Sequence, residues 1–386
     1  MIETNGNFWK THRRFTLQFL RSYGIGKDLM QQRILTEVQY LVDALKNVNR
    51  DEPIDLHSHI EIGIGSIING FLFGYRYDEE KIHEFVQINQ FLANKLEVLG
   101  DPCGMMMLFS PWFRHLPYFS GKYHTFLHNA DKLLKIFERQ ILERQKSIDY
   151  DSDESSDFVE AYLKEMKKCE NEPNFNGFEM EQLKNACLDI WAAGSDTTTN
   201  TIIWTVLYIL HHPEVAIKIR QELDANIGEG RLITLNDKHK LSYISAVINE
   251  TQRLANIIVN VFVHTTTTDI VARGYRIPKN TMVIPEISTI LYDEEIFPEP
   301  YKFKPERFID SKGKLKKIEA FIPFGAGKRS CIGEGLAKTE LFLFIANIYN
   351  QFEISPVDPN NLPTTQKDFR LTLKSRDFKV LLKPRF

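Results

Sequence analysis

The stretch at 178–212, FEMEQLKNACLDIWAAGSDTTTNTIIWTVLYILHH, constrains the fold of this chain more than any other. Apolar residues fall on nearly every face of a helix drawn through it, so that helix has no solvent side and belongs inside a large domain. At about 30 residues it runs ~45 Å, across the whole molecule, and Pro213 stops it. Its middle, Ala193-Gly194-Ser195-Asp196-Thr197-Thr198, is a poor helix former. Threonines that bond back to i−4 carbonyls bend helices, and Gly194 leaves room beside the backbone. A kink kept for packing accounts for a threonine run alone. An acid beside a threonine in a buried helix is harder to explain that way, because burying a carboxylate without a role is costly.

The 386 residues suffice for one large domain or two ordinary ones. A net charge of −3 gives no reason to expect a nucleic-acid partner. The four cysteines, Cys103, Cys169, Cys187 and Cys331, form no CxxC pair and no framework spacing. That usage suits a reducing compartment and speaks against structural disulfides or a zinc site. No run approaches the ~18 apolar residues that span a bilayer, and no signal peptide opens the chain.

Cys331 has an unusual setting. It lies in FIPFGAGKRSCIGEGLAKTELFLF (321–344), among Gly325, Gly327, Gly333 and Gly335. Glycines at that density let a backbone approach a flat object closely. Leu341, Phe344, Ile345 and Ile348 recur at helical spacing, which puts Cys331 just before a helix N-terminus. Free N–H groups and the helix dipole there favour a thiolate, a good soft metal ligand. A lone cysteine is more often a small buried hydrophobe. A phosphate loop fails, since Arg329 follows Lys328 where that motif needs Ser or Thr.

Elsewhere, a helix is expected from Asn5 or Asn7 through Phe19, with Trp9 and Arg13 on one face. Asp55 can cap a helix over 56–74, whose His57 and His59 point apart and do not resemble metal ligands. The segment 104–119 is apolar, aromatic and broken by proline, 122–146 reads as a helix, and 149–157 as a solvated acidic loop. Glu250 and Arg253 pair at i, i+3 on another helix, and Phe303–Phe308 contributes Arg307. Residues 259–286, which include His264, alternate and turn like paired strands, and FRLTLKSRDFKVLL (369–382) reads as a last β-pair.

Taken together, Phe324-x-x-Gly327-x-Arg329-x-Cys331-x-Gly333 resembles the haem-binding signature of the cytochrome P450 family, closest to its microsomal, animal family-2-like members. Trp9 and Arg13 are similar to the helix C pair that holds a haem propionate, and His264 stands where related enzymes place a propionate-binding histidine. The 193–198 segment resembles the family's helix I motif. By that match Gly194 opens an oxygen pocket, Thr197 relays a proton to the oxygen being activated, and Asp196 helps supply it. Glu250, Arg253 and Arg307 match a buried structural cluster behind the cofactor, and 104–119 a membrane-dipping link beside substrate entry.

The resemblance implies a mainly α protein with small β-sheets, the P450 fold, as a single haem domain over 1–386. It starts at the helix C match, without the usual N-terminal anchor, helices A and B and part of the main sheet, as a fragment would. Haem b is the implied cofactor, with Cys331 ligating its iron. The implied activity inserts one oxygen atom of O2 into a lipophilic small molecule of steroid, fatty acid or xenobiotic class. Electrons come from NADPH–cytochrome P450 reductase, with cytochrome b5 as an optional donor, at the cytoplasmic face of the endoplasmic reticulum membrane. A haem-thiolate isomerase is a rival with no use for the Asp196–Thr197 pair. An inactive or non-enzymatic truncated haem-binding relative is another.

Overall fold

Most helices of this protein begin or end where the sequence supplies a physical reason. The computed structural model describes residues 4–24, 28–100, 104, 106–107, 110–169, 177–228, 230–259, 263–369 and 372–386. Helix α1 (Gly6–Ser22) buries the stripe His12, Thr16, Phe19 and Leu20, while Asn5 sits at its start without making a side-chain cap. Helix α2 (Asp28–Lys46) buries Met30, Ile34, Val38, Leu41 and Leu45 at helical spacing. Helix α3 (Leu56–Phe73) is capped by Asp55, which accepts the His57 N–H at 3.0 Å, and ends at the left-handed Gly74.

Helix α4 (Ile82–Gly100) is followed by a 3₁₀ turn at Pro111–His115, then α5 (Pro117–Gln145). Helix α5 opens at Pro117 rather than near 122, because proline suits a first helical turn. In this neighbourhood Trp112 and Tyr118 are largely exposed, whereas Cys103 and positions 105, 108 and 109 of the expected membrane-contact segment lie outside the described residues.

The acidic loop at 149–157 is solvated only in part. Its last residue, Asp157, is fully buried; it accepts from Arg144 Nε at 2.7 Å and from the Glu160 N–H at 2.9 Å, and so caps α6 (Phe158–Cys169). A carboxylate held by a guanidinium and a helix N-terminus tolerates burial that a free one does not.

Helix α7 (Met180–His211) is the long central helix, and every residue from Thr198 to Leu210 is buried. Pro213 does more than stop it: it opens α8 (Pro213–Asn226) after a 109° turn. Helix α9 (Ser242–Ala255) ends at the left-handed Asn256.

Four short antiparallel pairs follow. Strand β1 (His264–Thr265) pairs with β4 (Met282–Val283), and β2 (Ile270–Ala272) with β3 (Tyr275–Ile277) around Gly274. The one-turn α10 (Ser288–Leu291) precedes α11 (Glu334–Gln351), buried without a break from Thr339 to Gln351. Strand β5 (Phe352–Pro356) pairs with β8 (Val380–Pro384), and β6 (Lys367–Phe369) with β7 (Leu373–Ser375). The expected final β-pair is therefore divided: 380–384 pairs with the chain leaving α11, and 373–375 with 367–369. Apolar side chains of α1–α9 and α11 merge into one core, with a satellite around Leu291, Phe297 and Phe308. No single helix among the described residues is long and apolar enough to cross a membrane.

Candidate functional site

The loop before α11 is shaped by two left-handed glycines, Gly325 (φ 74°) and Gly327 (φ 75°), a conformation side chains rarely adopt. The loop returns on itself so that the Cys331 N–H donates to Phe324 O at 2.9 Å, and Gly333 starts α11. Cys331 is exposed, yet protein crowds its thiol closely enough to desolvate it. Burial pushes its thiol up, outweighing the Gly333 and Glu334 N–H groups and the charge of Arg13. The helix N-terminus does favour the thiolate, as expected, but desolvation acts against it and is the larger effect.

Helix α1 supplies the adjoining wall. Arg13 Nη2 donates to Ser330 O at 2.8 Å, and the Arg329 guanidinium lies 4.0 Å from the centre of the Trp9 ring. Arg329 also donates to Thr4 O at 2.6 Å. Desolvation and the neighbouring Arg13 charge both weaken the hold of Arg329 on its proton. Among the described residues neither arginine meets a carboxylate. Two guanidiniums therefore stand together beside Cys331 with no counter-charge, an arrangement suited to a bound anion. On β1, the buried Nδ1 of His264 has no hydrogen-bond partner among the described residues.

On α7, Thr197 Oγ1 donates to Ala193 O at 2.7 Å, and Thr201 and Thr205 repeat the pattern at 2.8 Å each. Ala193 is exposed and Thr197 half-buried, on the N-terminal half of a helix whose residues from Thr198 to Leu210 are all buried. Gly194 faces elsewhere: a Cβ there would lie 2.5 Å from Ile68 Cδ1. Its missing side chain permits close packing of α7 on α3.

The cytochrome P450 family model matches residues 1–382. Cytochrome P450 2C3 of Oryctolagus cuniculus is 35% identical over 368 residues, covering 95% of this chain and 73% of the relative. Cytochrome P450 2J2 of Homo sapiens is 36% identical over 363 residues, covering 94% and 70% respectively. The chain belongs to the cytochrome P450 family.

It is accordingly a haem- and iron-binding monooxygenase. The residues of this P450 chain fit haem on the observations above: an exposed thiol, a glycine loop and, among the described residues, two arginines that meet no carboxylate and an imidazole nitrogen without a partner. The expected structural cluster also comes together. Arg253 Nε and Nη2 donate to Glu250 at 2.7 and 2.9 Å, Arg307 Nε donates to Glu250 Oε1 at 3.0 Å, and Glu250 and Arg253 are fully buried. Arg253 and Arg307 further hold Leu291 O and Pro298 O, both at 2.9 Å, which ties α9 to the chain ahead of the cysteine loop.

Three partners escape a reading of the sequence. Lys374 and Thr372 bind Asp196 from the C-terminal hairpin. Glu340 on α11 is fully buried and accepts from Thr198 Oγ1 at 3.1 Å, with Oε1 unpartnered among the described residues. An acid within the apolar run TELFLF was the available signal for Glu340.

Burial pushes the Glu340 carboxyl from 4.5 up to about 8. An acid whose pKa rises on folding favours the fold while protonated. That stability is complete below 4.5 and is lost as pH climbs through about 8. The slope is at most ~1.4 kcal/mol per pH unit. Glu340→Gln, which keeps an acceptor for Thr198, should flatten the fall in denaturant midpoint across this window. A fall as steep as the parent's would assign that pH dependence to other groups.

Proposed function

We propose that residues 1–386 act as one haem domain in which Cys331 ligates the iron of haem b. Phe324 and Gly333 shape the ligand loop, and Trp9, Arg13, Arg329 and His264 hold the propionates. The observation that carries this reading is the pair of guanidiniums that meet no carboxylate among the described residues, beside the cysteine set in a glycine loop. Thiolate-ligated haem iron supplies O–O cleavage and oxygen transfer when bound.

The chain's own residues position and protonate. Thr197, half-buried on α7, passes a proton toward the oxygen-binding side, and Asp196 is its source. The substrate is a lipophilic small molecule, and electrons arrive from an NADPH-dependent flavoprotein reductase. The residues around Trp112 and Tyr118 rest on an endoplasmic reticulum membrane; their exposure supports that reading.

The test is reductase-driven oxidation of a lipophilic panel by the haem-loaded chain and by Thr197→Ala. Product per NADPH should fall roughly 10- to 100-fold in the variant, towards the lower end of what a positioned proton donor contributes, with haem content unchanged. Equal coupling in both proteins would remove Thr197 from the relay.

A further inference from the structure

The hairpin of β6 and β7 is bound to α7 at two places. Trp204 Nε1, fully buried, donates to Leu373 O at 3.1 Å. About two turns earlier on α7, Asp196 Oδ2 accepts from Thr372 Oγ1 at 2.6 Å, and its Oδ1 lies 2.5 Å from Lys374 Nζ. Three consecutive residues, Thr372, Leu373 and Lys374, thus all bind this one helix. The Asp196 side chain is only 10% exposed and that of Lys374 25%, so salt screens the pair less than it would a surface one.

The hairpin is also held from its other side. Lys367 Nζ, on β6, donates to Leu254 O and Ala255 O at 2.8 Å each and to the Tyr292 hydroxyl at 2.7 Å. Those carbonyls belong to the last turn of α9, where the helix has no donor for them and a cation is favoured. Just beyond α9, Ile257 O accepts from the Leu373 N–H at 2.8 Å. The hairpin therefore bridges the end of α9 and the turn of α7 that carries Asp196.

What it meets on α7 is the weakest part of that helix. Gly194, Ser195, Asp196, Thr197 and Thr198 are all poorer helix formers than alanine or leucine. Thr197 and Thr201 give their hydroxyls to carbonyls four residues back, the bonding that bends helices. A segment with so little helical preference of its own takes its geometry from tertiary contacts. We infer that Thr372 and Lys374 are positioning residues for the proposed oxygenation: they fix the Asp196 side chain and with it the turn of α7 that presents Thr197. This rests on the reading of Thr197 as the relay. It concerns where the Asp196 side chain stands, whichever group hands Thr197 its proton.

The experiment uses the full chain loaded with haem. It compares Lys374→Met, Lys374→Arg, Thr372→Val, Asp196→Asn, the Asp196→Asn/Lys374→Met pair and Thr197→Ala. At equal haem content, Lys374→Met should lower product per NADPH about tenfold, less than a proton-transfer group contributes in full, because Thr197 itself remains. KM and the reduced, carbon-monoxide-bound spectrum should stay unchanged. Lys374→Arg, which keeps a cation for the same oxygen, should recover most of the loss, and Thr372→Val should show a smaller loss in the same direction. Adding Lys374→Met to Asp196→Asn should bring little further loss, since the amide already lacks the charge that Lys374 pairs with. Additive losses, or lost turnover that only follows lost haem, would overturn the inference. Unchanged coupling in Lys374→Met and Thr372→Val, with Thr197→Ala impaired, would overturn the hairpin's role and leave the relay standing. Unchanged coupling in Thr197→Ala as well would overturn the relay and the inference together.

Discussion

Cys331→Ser should yield a folded chain without a thiolate-type Soret band in the reduced, carbon-monoxide-bound state and without detectable oxygenation. This is the largest effect expected of any single substitution. Sulfur to oxygen is a small steric change, and the loop does not depend on the side chain: its closure runs through the Cys331 N–H to Phe324 O. Ligation is different. Burial pushes the Cys331 thiol up, a cost that binding to iron would offset, and a serine hydroxyl is far harder to deprotonate. Thermal denaturation without haem should superimpose on that of the parent, which separates lost chemistry from lost fold. Survival of the thiolate-type band and turnover in the serine variant would remove Cys331 as the ligand.

The second large effect concerns stability. Glu250→Ala leaves fully buried Arg253 and nearly buried Arg307 facing each other without an anion and deprives the Lys304 N–H of its acceptor. Stranding a buried charge in this way costs about 3–5 kcal/mol. Haem retention at moderate temperature should fail together with the denaturant midpoint, since Arg307 also anchors Pro298 O ahead of the cysteine loop. Replacing Glu250, Arg253 and Arg307 together by apolar residues of similar size should cost less than Glu250→Ala alone, because no uncompensated charge remains. A Glu250→Ala variant that unfolds with the parent would show that the cluster contributes little to the fold.

Much of this protein was legible along the chain because its signals are local. The long buried helix, the Asp55 cap, the Trp9–Arg13 face, the Glu250–Arg253 pair and the glycines around Cys331 each depend on spacing within one element, where backbone geometry turns sequence separation into direction. The cysteine loop drew attention for that reason, and the family comparison agrees with it.

Only the tertiary structure decided which groups meet across long separations and how dry they become. Asp196 meets Thr372 and Lys374, Thr198 meets Glu340, Gly194 meets Ile68, and residues 380–384 choose the strand after α11 as partner. Desolvation belongs to this class too: it pushes the Cys331 thiol up against the pull of the helix N-terminus, and pushes Glu340 up. No residue carries its own dielectric surroundings in its name. Direction along one element follows from the chain, whereas partner choice and the cost of charge are set by what the rest of the fold brings alongside.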